Sequence, residues 1–171
     1  MEIKDVFEIL SKGIIVSTNS KKYEKVAKFL SIDENFEEFD KSVAKIGFYL
    51  VGENGYFYLS KPLKKEEEEK FFNLHKDIIL AIALLKKLFV HLEASHKIKK
   101  SDFIVRIKSK SDEVKDITQA LFKINDIMEI SDKLFNLLEK NSVLENISGE
   151  EYLVLNSIYY YLDIVEGIGD E

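Results

Sequence analysis

Residues 48–61, FYLVGENGYFYLSK, limit the possible folds more than any other segment of the chain. Aromatic and β-branched residues, which favour extended backbone, run along both sides of Glu53, Asn54 and Gly55. These three residues are typical of a turn, so the segment predicts two short strands joined as a β-hairpin.

The residues before this hairpin predict three helices. Gly13 ends the first helix, the loop GIIVSTNS follows it, and Ser20 is placed to cap the second. The third helix runs from about Asp33 to Lys45. Apolar residues at helical spacing define them: Val6, Phe7, Ile9 and Leu10 in the first, Tyr23, Val26, Ala27 and Leu30 in the second, and Phe36, Phe39, Val43 and Ile46 in the third. Three helices followed by a hairpin is the order of a winged helix, a helix-turn-helix variant.

Pro62, the only proline, marks the end of this region, and a long helix is predicted after it. The acids Glu66 to Glu69 suit the positive end of a helix dipole. The apolar positions of this helix cover more than one face, so we expect contacts on two sides of it. These positions are Phe71, Phe72, Leu74, Ile78, Ile79, Ile82, Leu85, Leu88, Phe89 and Leu92.

The second half predicts the same order of elements, although no residue-level repeat supports it. After the basic loop SHKIKK, Ser101 and Asp102 are placed to cap the short apolar segment Phe103 to Ile107, whose pattern does not decide its secondary structure and which we interpret as a helix. Further helices are expected from Ser111 to about Ile124, over Ile127 to Leu138, and at the end of the chain through Ile168. Between the last two, two interpretations stay open: a hairpin with strands 142–147 and 152–155, or a helix that begins at a Ser148–Glu151 capping box.

These elements predict a helix-rich α+β protein with tandem winged-helix domains joined by a long central helix. The expected domains are an N-terminal winged helix at 1–62, a connecting helix at 63–95 and a C-terminal winged helix at 96–171. The apolar part of the long helix is strongest at 78–85, far short of the roughly 20 residues that span a bilayer. The first ten residues, MEIKDVFEIL, lack the pattern of a signal peptide, so we expect a cytoplasmic protein without a membrane partner.

The sequence offers no catalytic or cofactor motif. The chain has no cysteine, and its seven glycines are scattered, so neither a thiolate site nor a glycine-rich phosphate loop is present. No serine lies in a GxSxG context. The histidines, His75, His91 and His96, are not spaced to gather a metal ion. We therefore expect no enzymatic activity, no cofactor, no metal and no small-molecule substrate.

The formal net charge of −6 argues against a protein whose main role is to coat nucleic acid. Arg106 is the only arginine, which disfavours base-specific readout. Lys21, Lys22, Lys25 and Lys28 are best explained as ordinary solvated surface. A second basic cluster leaves two interpretations open, solvated surface or non-specific contact with the DNA backbone. Its members are Lys97, Lys99, Lys100, Arg106, Lys108 and Lys110.

The last helix contains three successive tyrosines, Tyr159, Tyr160 and Tyr161. A core helix explains most of its apolar residues, but three neighbouring side chains cannot all point inwards. Because exposed tyrosine is enriched in protein interfaces, we expect these residues to form part of a protein–protein interface.

Two segments resemble a known family: 36–61, FEEFDKSVAKIGFYLVGENGYFYLSK, and 150–168, EEYLVLNSIYYYLDIVEGI. Both are similar to the MukE and MksE (KITE) accessory subunits of bacterial condensin. The resemblance implies tandem winged helices, a homodimer, and binding to a kleisin subunit that bridges an SMC-type ATPase in chromosome organisation or plasmid exclusion. The ATPase chemistry would belong to that partner. The alternative, based on the first 60 residues, is a stand-alone winged-helix transcription regulator.

Overall fold

The structure, a computed structural model, describes residues 1–169, and this range contains eight helices and six strands. In chain order the elements are α1 (Ile3–Leu10), β1 (Val16–Ser17), α2 (Glu24–Leu30), α3 (Asp33–Ala44), β2 (Tyr49–Glu53), β3 (Tyr56–Ser60), α4 (Lys65–Leu88), β4 (Lys97–Lys99), α5 (Lys100–Ser109), α6 (Ser111–Phe122), α7 (Ile127–Lys140), β5 (Leu144–Ser148), β6 (Glu151–Val154) and α8 (Ile158–Gly169). The helix-rich α+β prediction is confirmed.

The chain divides into two compact units, residues 1–70 and a second unit that begins at Phe71. The division lies inside α4, within the segment that the sequence interpretation treated as a separate connecting helix.

Unit one encloses its core between α1, α2, α3 and a three-stranded sheet. α1 is amphipathic, and its Val6 and Leu10 lie one turn apart on the buried face. The remaining core residues are Val16, Val26, Ala27, Leu30, Phe39, Val43, Leu50 and Phe57. The buried residues of the three helices all belong to the predicted stripes, whereas Phe7, Ile9, Tyr23 and Phe36 of those stripes are half-buried.

The hairpin of unit one is confirmed. β2 and β3 are antiparallel, and Glu53 pairs with Tyr56 across the turn. Asn54 and Gly55 have φ values of 48° and 77°, the two positive angles of a tight hairpin turn whose twist matches its strands.

A third strand, β1, pairs with β3, giving the order β1-β3-β2. The prediction that GIIVSTNS is entirely loop is therefore wrong at Val16 and Ser17. Two residues cannot show the alternation that identifies a strand, and this one depends on a partner about 40 positions away.

Three helix boundaries differ from the prediction. α2 begins at Glu24, and Ser20 acts earlier, in the preceding turn, where its Oγ accepts the Tyr23 backbone N–H at 3.3 Å. Ile46 lies beyond the end of α3 and is 60% exposed rather than buried. α4 ends at Leu88, so Phe89 and Leu92 are not part of the long helix.

α4 buries more than half of its circumference in the part that belongs to unit two. Ile78, Ile82 and Leu85 form one seam, and other buried residues flank it. They are Ile79, Ala81, Leu84 and Leu88. Within residues 1–169, no helix combines the length and apolarity needed to cross a membrane.

Unit two also carries a three-stranded antiparallel sheet, with the order β4-β6-β5. The hairpin of β5 and β6 is confirmed over the alternative in which Ser148 and Glu151 begin a helix. Its turn is held by the Asn146 side-chain amide, which donates to the Gly149 carbonyl at 2.9 Å. β4 lies within the segment SHKIKK, so the prediction of a basic loop is wrong at Lys97–Lys99.

The helix predicted through Ile107 is present as α5, although it begins at Lys100 and has no side-chain cap from Ser101 or Asp102. Its Phe103 packs edge-to-face on Phe135 of α7, and Phe135 packs on Tyr152 of β6. These three rings join the helices of unit two to its sheet.

The two units share one order of pairing. In each, a short strand follows a helix, two or more helices come next, and the short strand then pairs with the second strand of a hairpin. Unit two differs by the additional helix α6 between α5 and α7.

Candidate functional site

The basic cluster of Lys97, Lys99, Lys100, Arg106, Lys108 and Lys110 lies on β4, α5 and the residue after α5. Lys97 and Lys99 flank the buried Ile98, so they share one face of the strand. α5 buries Phe103 and Ile107, which leaves Lys108 exposed. The six side chains therefore do not form one continuous face.

Lys100 forms a structural contact between α5 and α7. Its ammonium forms an ion pair with Asp132 of α7 at 3.2 Å and lies 5.8 Å from the centroid of the Phe135 ring. Partial burial acts to lower the pKa of Lys100, but the Asp132 hydrogen bond and the neighbouring Tyr152 outweigh it, so the pKa is raised. Lys100 keeps its charge to join α5 to α7.

Arg106 and Lys110 act on the C-terminal end of α4. Nη1 of Arg106 donates to the Leu88 carbonyl at 3.0 Å, and Nζ of Lys110 donates to the Lys87 carbonyl at 3.3 Å. The last carbonyls of a helix lack intrahelical partners and carry the negative end of its dipole, so both contacts stabilise α4. The Arg106 guanidinium also lies 4.5 Å from the centroid of the Phe89 ring.

The remaining cations are more available. Lys97 makes a loose pair with Glu151 at 3.9 Å and stays exposed. Lys99 and Lys108 are exposed and have no ion-pair partner within the described residues. Sequence reasoning could not separate these three lysines from the structural ones, because the separating contacts come from α4, α7 and β6.

A cleft of about 490 Å³ lies beside this cluster, between the loop that follows α4 and helix α5. It brings together Lys97 and Arg106 of the predicted cluster with His91 and His96. The sequence interpretation treated both histidines as surface residues, and no spacing rule could link them to Arg106. In residues 1–169, no group of three or more acidic or histidine side chains is placed to hold a metal ion.

The three tyrosines of α8 have different environments. Tyr161 is 3% exposed, and its ring lies 5.0 Å from that of Tyr160 and 6.4 Å from that of His75. Burial raises the pKa of the Tyr161 phenol, and Tyr160 raises it further. Tyr159 and Tyr160 are half-buried, and the Tyr159 hydroxyl accepts the Ala94 backbone N–H at 3.3 Å. Only Tyr159 and Tyr160 reach the surface of the chain.

The helix before each hairpin does not present a basic face. On α3, the exposed charged residues within the helix are Asp33, Glu34, Glu37, Glu38 and Lys41. On α7, Lys133 pairs with Glu129 at 3.1 Å, and Asp132 pairs with Lys100. Phosphate groups would meet repulsion at α3 and no net attraction at α7.

The comparison with protein families decides the classification. The family model described as condensin complex protein MksE matches residues 2–166. The chain belongs to the MksE family. The match extends into both units and covers the first segment that carries the resemblance and residues 150–166 of the second, so the predicted MukE/MksE relationship is confirmed. No curated protein matches the chain.

Membership in the MksE family makes the chain a condensin complex protein, and surfaces that receive partners are then more informative than a catalytic pocket. The candidate surfaces in unit two are the exposed lysines, the half-buried tyrosines, and the exposed apolar residues Phe71, Phe72 and Leu74 of α4.

Proposed function

We propose that this chain is a non-enzymatic accessory subunit of a bacterial condensin-like complex, which binds the kleisin subunit and, through it, an SMC-type ATPase. The family match over residues 2–166 carries this proposal. The complex would act in chromosome organisation and segregation, or in plasmid exclusion. The expected location is the cytoplasm, in association with the nucleoid.

Each unit is proposed to be a winged-helix domain. The supporting observation is the shared order of elements, in which a short strand completes the sheet of a later hairpin. The acids of α3 favour protein binding over base readout for the first of these domains, because the helix that would enter the major groove carries the wrong charge.

The direct test of the complex is co-expression with the kleisin and SMC-type proteins encoded in the same genome. We expect the tagged chain to co-purify with the kleisin, and native mass measurement to give a defined stoichiometry. A chain that remains alone when the kleisin and the ATPase are soluble and bound to each other would contradict the proposal.

The kleisin contact is proposed to involve Tyr159 and Tyr160 of the predicted tyrosine segment, because Tyr161 lies in the core and is only 3% exposed. Tyr160 is the best probe, because it is half-buried and its ring contacts the buried Tyr161. We expect Tyr160→Ala to weaken kleisin capture without unfolding the chain. Tyr23→Ala, which changes a half-buried tyrosine of unit one, is the control and should leave capture unchanged.

DNA contact is proposed at the exposed lysines Lys97, Lys99 and Lys108. The other three cations of the cluster, Lys100, Arg106 and Lys110, contribute positive charge nearby while they bond to α7 and α4. The triple variant with glutamine at the three exposed positions should bind all DNA sequences more weakly, and each lost phosphate contact should reduce the salt slope by about 0.9. The matched control replaces Lys12, Lys25 and Lys45 of unit one, which are also exposed. Equal slopes for both triple variants would place the contact elsewhere.

The competing function is a stand-alone winged-helix transcription regulator. Such a protein should prefer one operator strongly over random DNA. The acidic surface of α3 and the single arginine argue against that preference. Competition between unrelated duplexes of equal length distinguishes the two functions, since a condensin subunit should bind them alike.

A further inference from the structure

The cleft beside α5 combines permanent and titratable positive charge. Its polar lining residues are His91, Ser95, His96, Lys97, Asp102 and Arg106, and its apolar lining residues are Phe89, Leu92 and Ile98. A volume of about 490 Å³ lies within the range of pockets that hold small organic ligands.

The Arg106 guanidinium is held in place before any ligand arrives. Its Nη1 donates to the Leu88 carbonyl, and its central carbon lies over the Phe89 ring, 4.5 Å from the centroid. An arginine side chain has five N–H donors in a rigid fork, so the donors that Leu88 does not use remain able to bind an anion. A guanidinium fixed in this way loses little freedom on binding.

The charges that face the two histidines are few. Nδ1 of His96 lies 3.2 Å from the His91 carbonyl oxygen, and its Nε2 lies 3.7 Å from the Glu93 carboxylate. The other charged groups of the cleft are Lys97, Asp102 and Arg106, and Glu151 pairs loosely with Lys97. Two permanent cations and one carboxylate line the cleft, and Glu93 and Glu151 each contact one lining residue from outside it. Both histidines add positive charge to the lining when they are protonated.

We propose that this cleft binds a phosphate group, and that His91 and His96 strengthen the binding as pH falls. Phosphate oxygens accept several charge-assisted hydrogen bonds at once, as the convergence of lysine, arginine and histidine requires. The apolar walls favour a phosphate carried on a nucleoside, either as a free nucleotide or within a nucleic-acid strand. Binding of a nucleic-acid strand at the cleft rests on the proposed DNA contact, because the cleft includes Lys97 and Arg106 of the basic cluster.

The test uses the full chain with two probes, each at about pH 8 and about pH 5.8, because histidine gains its charge in this interval. Sulfate is the free-anion probe, since its charge is constant there whereas a phosphate monoester titrates near pH 6. A duplex oligonucleotide is the nucleic-acid probe. Chloride at equal ionic strength controls for screening.

We expect affinity for both probes to rise about fivefold at the lower pH. The rise is modest because an ion pair between a histidine of the cleft and the anion stays partly exposed to solvent. The salt slope for the duplex should steepen by about 0.9 for each histidine that joins a phosphate contact. The His91→Gln/His96→Gln double variant should lose both changes. The His75→Gln variant should keep them, because His75 packs on Phe71, away from the cleft.

The wild-type protein gives an independent measurement if the double variant does not fold. In proton NMR, sulfate should shift the ring signals of His91 and His96 but leave that of His75 in place. Shifts of equal size at all three histidines would contradict the proposal that the cleft binds the anion.

The outcomes separate the two proposals. Sulfate binding with no duplex binding supports the cleft as a site for a free phosphate compound and contradicts the DNA contact. If the double variant still binds the duplex with the pH dependence of the wild type, the proposed phosphate site in the cleft is contradicted. The proposed DNA contact is not affected by that result. Binding of neither probe overturns both.

Discussion

At the scale of single residues, a side chain at Gly52 would collide with two aromatic rings of unit one. A Cβ atom there would lie 2.8 Å from Cε2 of Phe36 and 2.9 Å from the Phe57 ring. We expect Gly52→Ala to lower the free energy of unfolding by about 1–3 kcal/mol, the usual cost of inserting a carbon into a packed site. Urea unfolding measures this change.

Two further variants identify the cause of that loss. Gly13 has nothing within 4 Å of its hypothetical Cβ but a φ of +80°, so Gly13→Ala reports backbone strain without crowding. Phe36→Leu removes one of the clashing ring atoms and should recover part of the stability when it is combined with Gly52→Ala. Fully additive effects of Gly52→Ala and Phe36→Leu would show that crowding by Phe36 is not the cause.

Tyr161 makes stability sensitive to alkaline pH. Burial and Tyr160 raise its pKa, so the folded chain keeps the phenol proton above about pH 10, where an unfolded tyrosine loses it. This stabilisation is complete below pH 10 and is lost as pH rises further, by up to about 1.4 kcal/mol for each pH unit. Tyr161→Phe should lose less stability between about pH 10 and pH 11 than the wild type, in urea unfolding at each pH. Parallel curves would contradict the assignment.

At the scale of elements, two cations of α5 and its C-terminal end, Arg106 and Lys110, bond to α4. Lys100 pairs with Asp132 of α7 instead, and Lys108 is exposed. Arg106→Gln and Lys110→Gln each remove a charge from the C-terminal carbonyls of α4, and we expect each to cost about 1 kcal/mol in the free energy of unfolding. Lys108→Gln is the matched control, because Lys108 is exposed on the same helix. It should stay within about 0.5 kcal/mol of the wild type. Equal losses in all three variants would reject the capping role.

The same elements reveal what the sequence could predict. Helices with a clear apolar stripe, such as α1 and α7, and the hairpin at residues 48–61 are predicted because the information lies in adjacent residues. The second hairpin stays one of two interpretations, because Ser148 and Glu151 also fit a helix start. β1 and β4 are not predicted from the sequence, because strands of two and three residues are defined by their distant partner strands. The end of α4 was missed because Phe89 and Leu92 continue its apolar pattern although the helix stops at Leu88.

The candidate site was predicted in composition but not in arrangement. The sequence identifies the cations of residues 97–110, yet Lys100 and Arg106 acquire their structural roles from Asp132 and Leu88, which lie far away along the chain. The histidines of the cleft join Arg106 only through the loop after α4. Such placements depend on tertiary contacts that no local pattern encodes.

At the scale of the whole molecule, α4 carries an apolar stripe that is exposed in its first half and buried in its second half. The buried seam of Ile78, Ile82 and Leu85 continues towards the N-terminus through Leu74 and Phe71, at helical spacing. Yet Leu74 is 76% exposed and Phe71 is 37% exposed, and the neighbouring Phe72 is 52% exposed. An exposed stripe in line with a buried one is typical of a protein interface.

We therefore expect the homodimer that the sequence predicts, with α4 of one copy against α4 of the other, since a two-fold contact uses the same patch on both copies. Light scattering at tens of micromolar should give twice the chain mass, and Phe72→Glu/Leu74→Glu should give the single-chain mass, because it buries two charges in the contact. Val105→Glu, at an exposed apolar residue of α5, is the control and should leave the dimer intact. A wild-type protein that remains monomeric would contradict the dimer. A double variant that stays dimeric would move the contact away from α4.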